Sequence, residues 1–176
     1  KYGRYAFNVS HAVSYGYITY FTAWLKHYYP AYYMTEILNK FIGIEIDKSE
    51  SSKVSKKKDE DKFVQYIWEC NLLKVPVSEP NIQNDGYEFK AMPNKTIRFG
   101  LGSLKGVGTK LSDLIEWRAQ KAPNGFQNIG QVLFAVIQCG LNQKVATELV
   151  KAKCVDFGIP NDTLFKLVDG FQRPCR

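Results

Sequence analysis

One seven-residue stretch limits the folds open to this chain more than any other: Leu104-Lys105-Gly106-Val107-Gly108-Thr109-Lys110. Two glycines around a single apolar residue allow the backbone angles and the close approach that a sharp reversal between two short helices needs. The reversal runs into a strong helical pattern. Leu111, Leu114, Ile115 and Arg118 recur at helical offsets, which predicts a helix over 109–121, and Pro123 and Gly125 stop it. Val107 then anchors the turn in the core. The first N–H groups of the helix have no intrahelical partner, so they offer an anion site, and Lys105 and Lys110 add positive charge at its mouth.

These features follow the logic of a helix-hairpin-helix, which holds the phosphate backbone of DNA without reading its bases. A lone Gly-x-Gly is a weak signal, because ordinary turns also use it. Leu104 and Leu111, the lysine pair and the helix strengthen the DNA reading, which rests on Lys105, Gly106, Val107, Gly108, Thr109 and Lys110. A second, degenerate hairpin is expected at 139–144, between helices over 128–139 and 143–153. It has Gly140 and Lys144 but not the paired glycines. Its first duty is to complete the fold, and Lys144 is its candidate phosphate contact.

The remaining pattern predicts a mainly α chain in two parts: a helical segment over 1–94, then a tandem hairpin module over 95–176, with a few short strands between. Ser10 is placed to cap a helix running to about residue 28, in which Val13, Tyr17, Tyr20, Phe21 and Trp24 keep helical spacing. That helix is apolar on nearly every side, which implies burial between neighbours. Pro30 ends it and opens a helix over 31–40. Residues 47–62 hold almost nothing to bury and read as an exposed, mobile insert loop. A helix over 61–73 follows, with Phe63, Ile67, Cys70 and Leu73 inward. Strands are expected at 87–90 and 96–99, and a last helix at 161–169 with Asn161 as its cap.

Charge agrees with a polyanionic partner. The net charge of +7 is uneven: residues 1–94 carry 12 Lys/Arg against 11 Asp/Glu, whereas residues 95–176 carry 12 against 6. A membrane span is not expected, because the longest uncharged apolar stretch, 12–25, falls short of the roughly 20 residues a bilayer requires. Cys70, Cys139, Cys154 and Cys175 form no Cys-x-x-Cys pair, so they read as reduced thiols of a cytosolic protein with no bound zinc. No leader is visible, and Lys1 in place of Met points to a piece of a longer chain. Asp59-Glu60-Asp61 follows three lysines in a polar run and reads as a solvated charge cluster. No carboxylate pair sits on a strand to hold two metal ions, so this chain is not expected to bind a cofactor or to synthesise DNA alone.

Four residues near the start are nucleotide-site candidates: Arg4, Asn8, Ser10 and His11. His11 at a helix start beside Asn8 and Ser10 is able to hydrogen-bond a triphosphate or template group, against the plainer reading of a capping and packing residue. Arg4 is a possible phosphate ligand. His27 ends a helix and reads as a surface residue facing the helix dipole. Tyr15, Tyr17, Tyr20, Tyr28, Tyr29, Tyr32 and Tyr33 are able to stack on bases, but aromatics at helical spacing usually build core, and Trp24 and Trp68 are expected there too.

A family resemblance follows from these motifs. Tyr5-Ala6-Phe7-Asn8-Val9-Ser10-His11-Ala12 resembles the Phe-Asn-Lys-Ser-His-Ala motif of the alpha subunit of bacterial DNA polymerase III, the C-family replicases. Thr22-Ala23-Trp24-Leu25-Lys26, Tyr29-Pro30-Ala31, Glu69-Cys70, Pro80-Asn81-Ile82, Phe89, Leu141-Asn142 and Glu148-Leu149-Val150 follow in the family's order. The run Ile97-Arg98-Phe99-Gly100-Leu101-Gly102-Ser103-Leu104-Lys105-Gly106-Val107-Gly108 is very similar to the family's entry into its helix-hairpin-helix domain. The resemblance covers nearly the whole chain. It implies the end of the polymerase fingers over 1–94 and a tandem helix-hairpin-helix over 95–176, in a cytoplasmic replicase of a bacterial or phage-infected cell. It also implies primer–template DNA, an incoming deoxynucleoside triphosphate and other replisome proteins as partners, with Mg held by upstream palm aspartates. Three departures stand out: Val9 in place of the motif lysine, Lys153-Cys154-Val155-Asp156 in place of Gly-Ala-Phe-Asp, and the 47–62 insertion. Two rivals remain: a stand-alone, non-catalytic DNA-binding module, and a protein-docking scaffold using the aromatic helix.

Overall fold

The computed structural model describes the backbone of residues 8–42 and 50–170, and the side chains of 8–42 and 61–170. Among the described residues there are seven α-helices and one two-stranded sheet. The first helix, α1 (Val9–Tyr28), begins after Asn8, whose side chain accepts a hydrogen bond from Ser10 N–H at 3.0 Å. The cap is therefore Asn8 and not Ser10. Ser10 lies inside the helix, where its carbonyl accepts from the Ser14 hydroxyl. Pro30 opens α2 (Pro30–Asn39) because its fixed φ suits the first helical position. The next helix, α3 (Glu50–Leu72), is longer than its apolar pattern predicts. Residues 50–62 belong to it and are not a loop. Lys- and Glu-rich sequence has good helix propensity. Low burial thus argues for exposure and not against a helix. Residues 47–49 lie outside the described residues.

The strands β1 (Lys90–Ala91) and β2 (Ile97–Arg98) pair antiparallel, Lys90 opposite Arg98 and Ala91 opposite Ile97. Val77 adds a parallel bridge to Ile97 on the other side. A 3-10 turn (Leu101–Ser103) leads to the hairpin and α4 (Leu111–Lys121). Then come α5 (Ile129–Gln138), α6 (Gln143–Lys151) and α7 (Asn161–Asp169). Asn128 and Asn142 cap α5 and α6 through their side chains, whereas Pro160, not Asn161, stands at the cap of α7.

Two apolar clusters hold the chain. The first joins α2 and α3 to the sheet through Ala31, Met34, Leu38, Cys70, Val75, Phe89 and Ile97. The second gathers Leu101, Val107, Leu111, Leu114 and the inner faces of α5, α6 and α7. The clusters interleave in sequence, since Ile82 packs with the second and Ile97 with the first. Polar clamps tie the connecting segment down. Asn39 bonds both the N–H and the C=O of Phe89, and Gln83 does the same for Phe126. Arg118 of α4 donates to the carbonyls of Ile82 and Asp85. These clamps satisfy backbone groups that no helix or ladder serves.

The aromatic helix differs from expectation. None of α1 is buried. Tyr15, Tyr17, Tyr20, Phe21, Tyr28, Tyr29 and Tyr32 are all exposed, as are Trp24 and Trp68, so these side chains are not core. Tyr33 alone of that set packs against a cluster. Helical spacing states which side chains share a face but not what covers it. Here α1 packs chiefly on α2 and is pinned to α3 by a Lys26–Glu69 ion pair. Among the described residues no helix is long and apolar enough to cross a membrane.

Candidate nucleic-acid interface

The first hairpin is built around Val107, which is 3% exposed and packs into the second cluster. On either side, Gly106 and Gly108 have φ of +85° and +68°, in the left-handed region that suits glycine. The chain therefore turns twice around one buried side chain and enters α4 through a tightened first turn. Leu111, Ser112 and Asp113 donate to the carbonyls of Gly108, Thr109 and Lys110. Upstream of that turn, the Val107 N–H closes a turn over Lys105 and Gly106, while those of Gly106, Gly108, Thr109 and Lys110 donate to no protein group among the described residues. Four N–H donors near a helix entrance are groups from which an anion is able to accept. Lys105, Thr109 and Lys110 are exposed beside them.

The second hairpin has the same plan. Gly140, at φ +65°, precedes Leu141, which is buried in the same cluster as Val107, and Asn142 starts α6. The register aligns Gly140-Leu141-Asn142-Gln143-Lys144 with Gly106-Val107-Gly108-Thr109-Lys110. Its backbone donors are differently used. Gly140 and Leu141 donate to Ile137 and Val136, closing the end of α5, and Val145 donates to the Asn142 side chain. The sequence shows the missing second glycine, but only the structure shows that the Gly140 and Leu141 donors are spent on the end of α5.

The two hairpins meet. A Cβ placed on Gly106 would stand 3.6 Å from Cε of Lys144 and 3.3 Å from Cγ of Glu148. Lys144, exposed at the start of α6, thus lies over the first hairpin and shares its mouth with Lys105 and Lys110. Glu148 brings one carboxylate to the same junction, where Lys151 pairs with it at 2.9 Å. Sequence spacing gave no sign of Glu148. Behind α4, Gly102 is required for close approach: a Cβ there would meet the Tyr87 ring at 2.8 Å.

The other candidates lie elsewhere. Asn8, Ser10 and His11 are exposed together at the start of α1, and the His11 ring packs on Tyr15 at 4.3 Å between centroids. Among the described residues, the helix that carries them packs chiefly on α2. Arg4 lies outside the described residues. Among the described residues no three His, Cys, Asp or Glu side chains converge as metal ligands would.

Comparison with known proteins agrees with this geometry. Residues 74–161 match the family model described as "Helix-hairpin-helix motif". The chain is 32% identical over 157 residues to DNA polymerase III subunit alpha of Aquifex aeolicus (strain VF5), covering 89% of this chain and 12% of that protein. It is 33% identical over 153 residues to the same subunit of Mycobacterium tuberculosis (strain CDC 1551 / Oshkosh), covering 86% and 11%. For Bacillus subtilis (strain 168) the figures are 29% over 171 residues, 96% and 14%. The chain thus spans only about an eighth of the length of these relatives. The buried plug between two left-handed glycines, the paired hairpins and the matched span agree: the chain belongs to the helix-hairpin-helix family, in the form found within bacterial DNA polymerase III alpha subunits.

Proposed function

We propose that this chain grips duplex DNA by its phosphates, as part of a DNA-directed DNA polymerase used in replication. The observation that carries the reading is the set of four uncommitted N–H groups at Gly106, Gly108, Thr109 and Lys110, with Lys105, Lys110 and Lys144 around them. Backbone donors and lysines neutralise phosphates without distinguishing bases, so binding is sequence-independent and salt-sensitive. Lys144 adds its charge to the first hairpin's mouth, so the second hairpin acts mainly through that side chain.

The chemistry of nucleotide addition belongs, in this reading, to residues outside this chain. The Mg of the parent polymerase is assigned, in this reading, to palm aspartates of the longer polymerase, and assay of this chain for nucleotide addition tests whether it is inactive alone. The exposed start of α1, with Asn8, Ser10 and His11, is the part assigned to the incoming nucleotide. The exposed aromatic surface of α1 favours an added role in protein docking: the rest of the polymerase or another replisome protein covers it.

The test is fluorescence anisotropy of a labelled primer–template at several salt concentrations. The chain is expected to bind at low salt and to release steeply as salt rises. Lys105→Ala with Lys110→Ala should lower the log–log salt slope by about 1.8, at roughly 0.9 per lost phosphate contact. An unchanged slope refutes the hairpin as the DNA contact.

A further inference from the structure

One side chain at the junction of the two hairpins carries the wrong sign for a DNA contact. Glu148 lies on α6 one turn after Lys144 and one turn before Lys151, so the three share a helix face. That face lies over the first hairpin. A Cβ on Gly106 would stand 3.3 Å from Cγ of Glu148 and 3.8 Å from its carboxylate carbon, Cδ. Within one residue N and Cβ are about 2.5 Å apart, so this carboxylate carbon lies no more than about 6 Å from the nitrogen of Gly106, whose N–H is uncommitted. The Glu148 side chain is 24% exposed, and Lys151 holds its carboxylate at 2.9 Å. Lys144, on the other side of Glu148, makes no ion pair among the described residues. Asp113, the acidic residue in the first turn of α4, instead faces Cys139 at the end of α5.

A carboxylate in that place acts on any anion the hairpin takes up. A phosphate oxygen bonded to the Gly106 N–H at about 3 Å stays within about 9 Å of Cδ, inside the Debye length of about 10 Å at 0.1 M salt. Repulsion between unit charges at such separations near a protein surface corresponds to roughly two- to tenfold in affinity. Glu148 also occupies Lys151, whose charge is then not available to a phosphate. Resting on the DNA-binding reading above, we propose that Glu148 is a built-in counter-charge that limits how tightly the first hairpin holds a phosphate. The lysines and open N–H groups attract the backbone, and the carboxylate keeps the grip on any one phosphate weak enough to let go.

Glu148→Gln tests this, because it removes the charge and keeps the shape. The lost pair with Lys151 is a surface i,i+3 pair, so the fold should tolerate the change, which far-UV circular dichroism checks. Affinity for a labelled primer–template at about 0.1 M salt should rise roughly two- to tenfold. The log–log salt slope should steepen by up to about 0.9, because Lys151 is released to a phosphate. Glu148→Gln combined with Lys151→Ala should return the slope to the wild-type value and keep part of the gain in affinity. Glu148→Ala, which removes the charge without an amide in its place, should also bind more tightly than wild type. A glutamate that serves only to pair α6 would shift the thermal midpoint and leave affinity and slope alone. Lys105→Ala with Lys110→Ala, measured alongside, reports on the hairpin separately. If that variant loses affinity while Glu148→Gln and Glu148→Ala bind no more tightly than wild type, the counter-charge is refuted and the hairpin reading stands. If the unmodified chain binds no DNA at low salt, both fall together.

Discussion

Replacing Gly106 and, separately, Gly140 by alanine isolates what the first hairpin demands of its backbone. Both glycines have positive φ, +85° and +65°. At Gly140 nothing lies within 4 Å of an added Cβ, so alanine meets only the cost of a left-handed backbone, about 1 kcal/mol. At Gly106 the angle lies further from the left-handed minimum near +57°, and the new methyl would press on Cγ of Glu148 at 3.3 Å. Glu148 is flexible but tied to Lys151, so it gives by a few tenths of an ångström at modest cost. The sum for Gly106→Ala is about 2 kcal/mol. In a chain of this size each kcal/mol lowers the thermal midpoint by about 2–4 °C, so drops of about 3 °C and about 6 °C are expected. Urea unfolding followed by far-UV circular dichroism measures both, with unchanged m-values. The Gly106 methyl would only touch Cε of Lys144, at 3.6 Å, an ordinary contact that leaves this lysine in place. Equal destabilisation within about 0.3 kcal/mol, or a Gly106→Ala as stable as wild type, refutes the packing argument.

Two further outcomes follow from buried ionisable groups. Burial raises the Asp85 carboxyl above its ordinary 3.8, against the opposing pull of the Asn81 N–H, Arg98 and Arg118. The folded state thus holds that proton more tightly than the unfolded chain does. Its stabilising contribution is complete below the ordinary value and is lost as pH rises through the raised one. Asp85→Asn should therefore flatten that part of the pH–stability curve. It should be at least as stable as wild type at about pH 7; urea midpoints that show a larger loss there than at about pH 4 count against this account. The thiols offer the second outcome. Burial pushes Cys70 up to about 11 and Cys154 up to about 12, whereas Cys139 is half-buried. Timed alkylation with mass mapping at mildly alkaline pH should label Cys139 well before Cys70 and Cys154, and rapid labelling of Cys154 in folded protein contradicts the packing.

Much of the site is local and was legible for that reason. Gly106, Val107 and Gly108 announce a turn around a buried plug because few residue types tolerate those angles, and the helix after it follows from Leu111 and Leu114. Even the second hairpin shows in Gly140 and Leu141. Where reading from residues went astray, the missing term was the neighbour. The polar run at 50–62 is helical because propensity, which needs no partner, decides such a segment. The aromatic run of α1 is exposed because, among the described residues, its apolar faces meet little beyond α2. The caps at Asn8 and Pro160 lie one or two residues from the expected Ser10 and Asn161, since neighbouring polar residues compete for one helix end.

The amino-acid sequence by itself determined the helical class, the hairpin with its lysines, the excess positive charge of residues 95–176 and the family resemblance. All of these depend on residues within a few positions of each other or on simple counts. Tertiary structure alone decided that Lys144 and Glu148 lie over Gly106 and that Lys90 pairs with Arg98 across the sheet. Each of these joins segments whose separation is set by how two apolar clusters pack, and no local pattern encodes that distance.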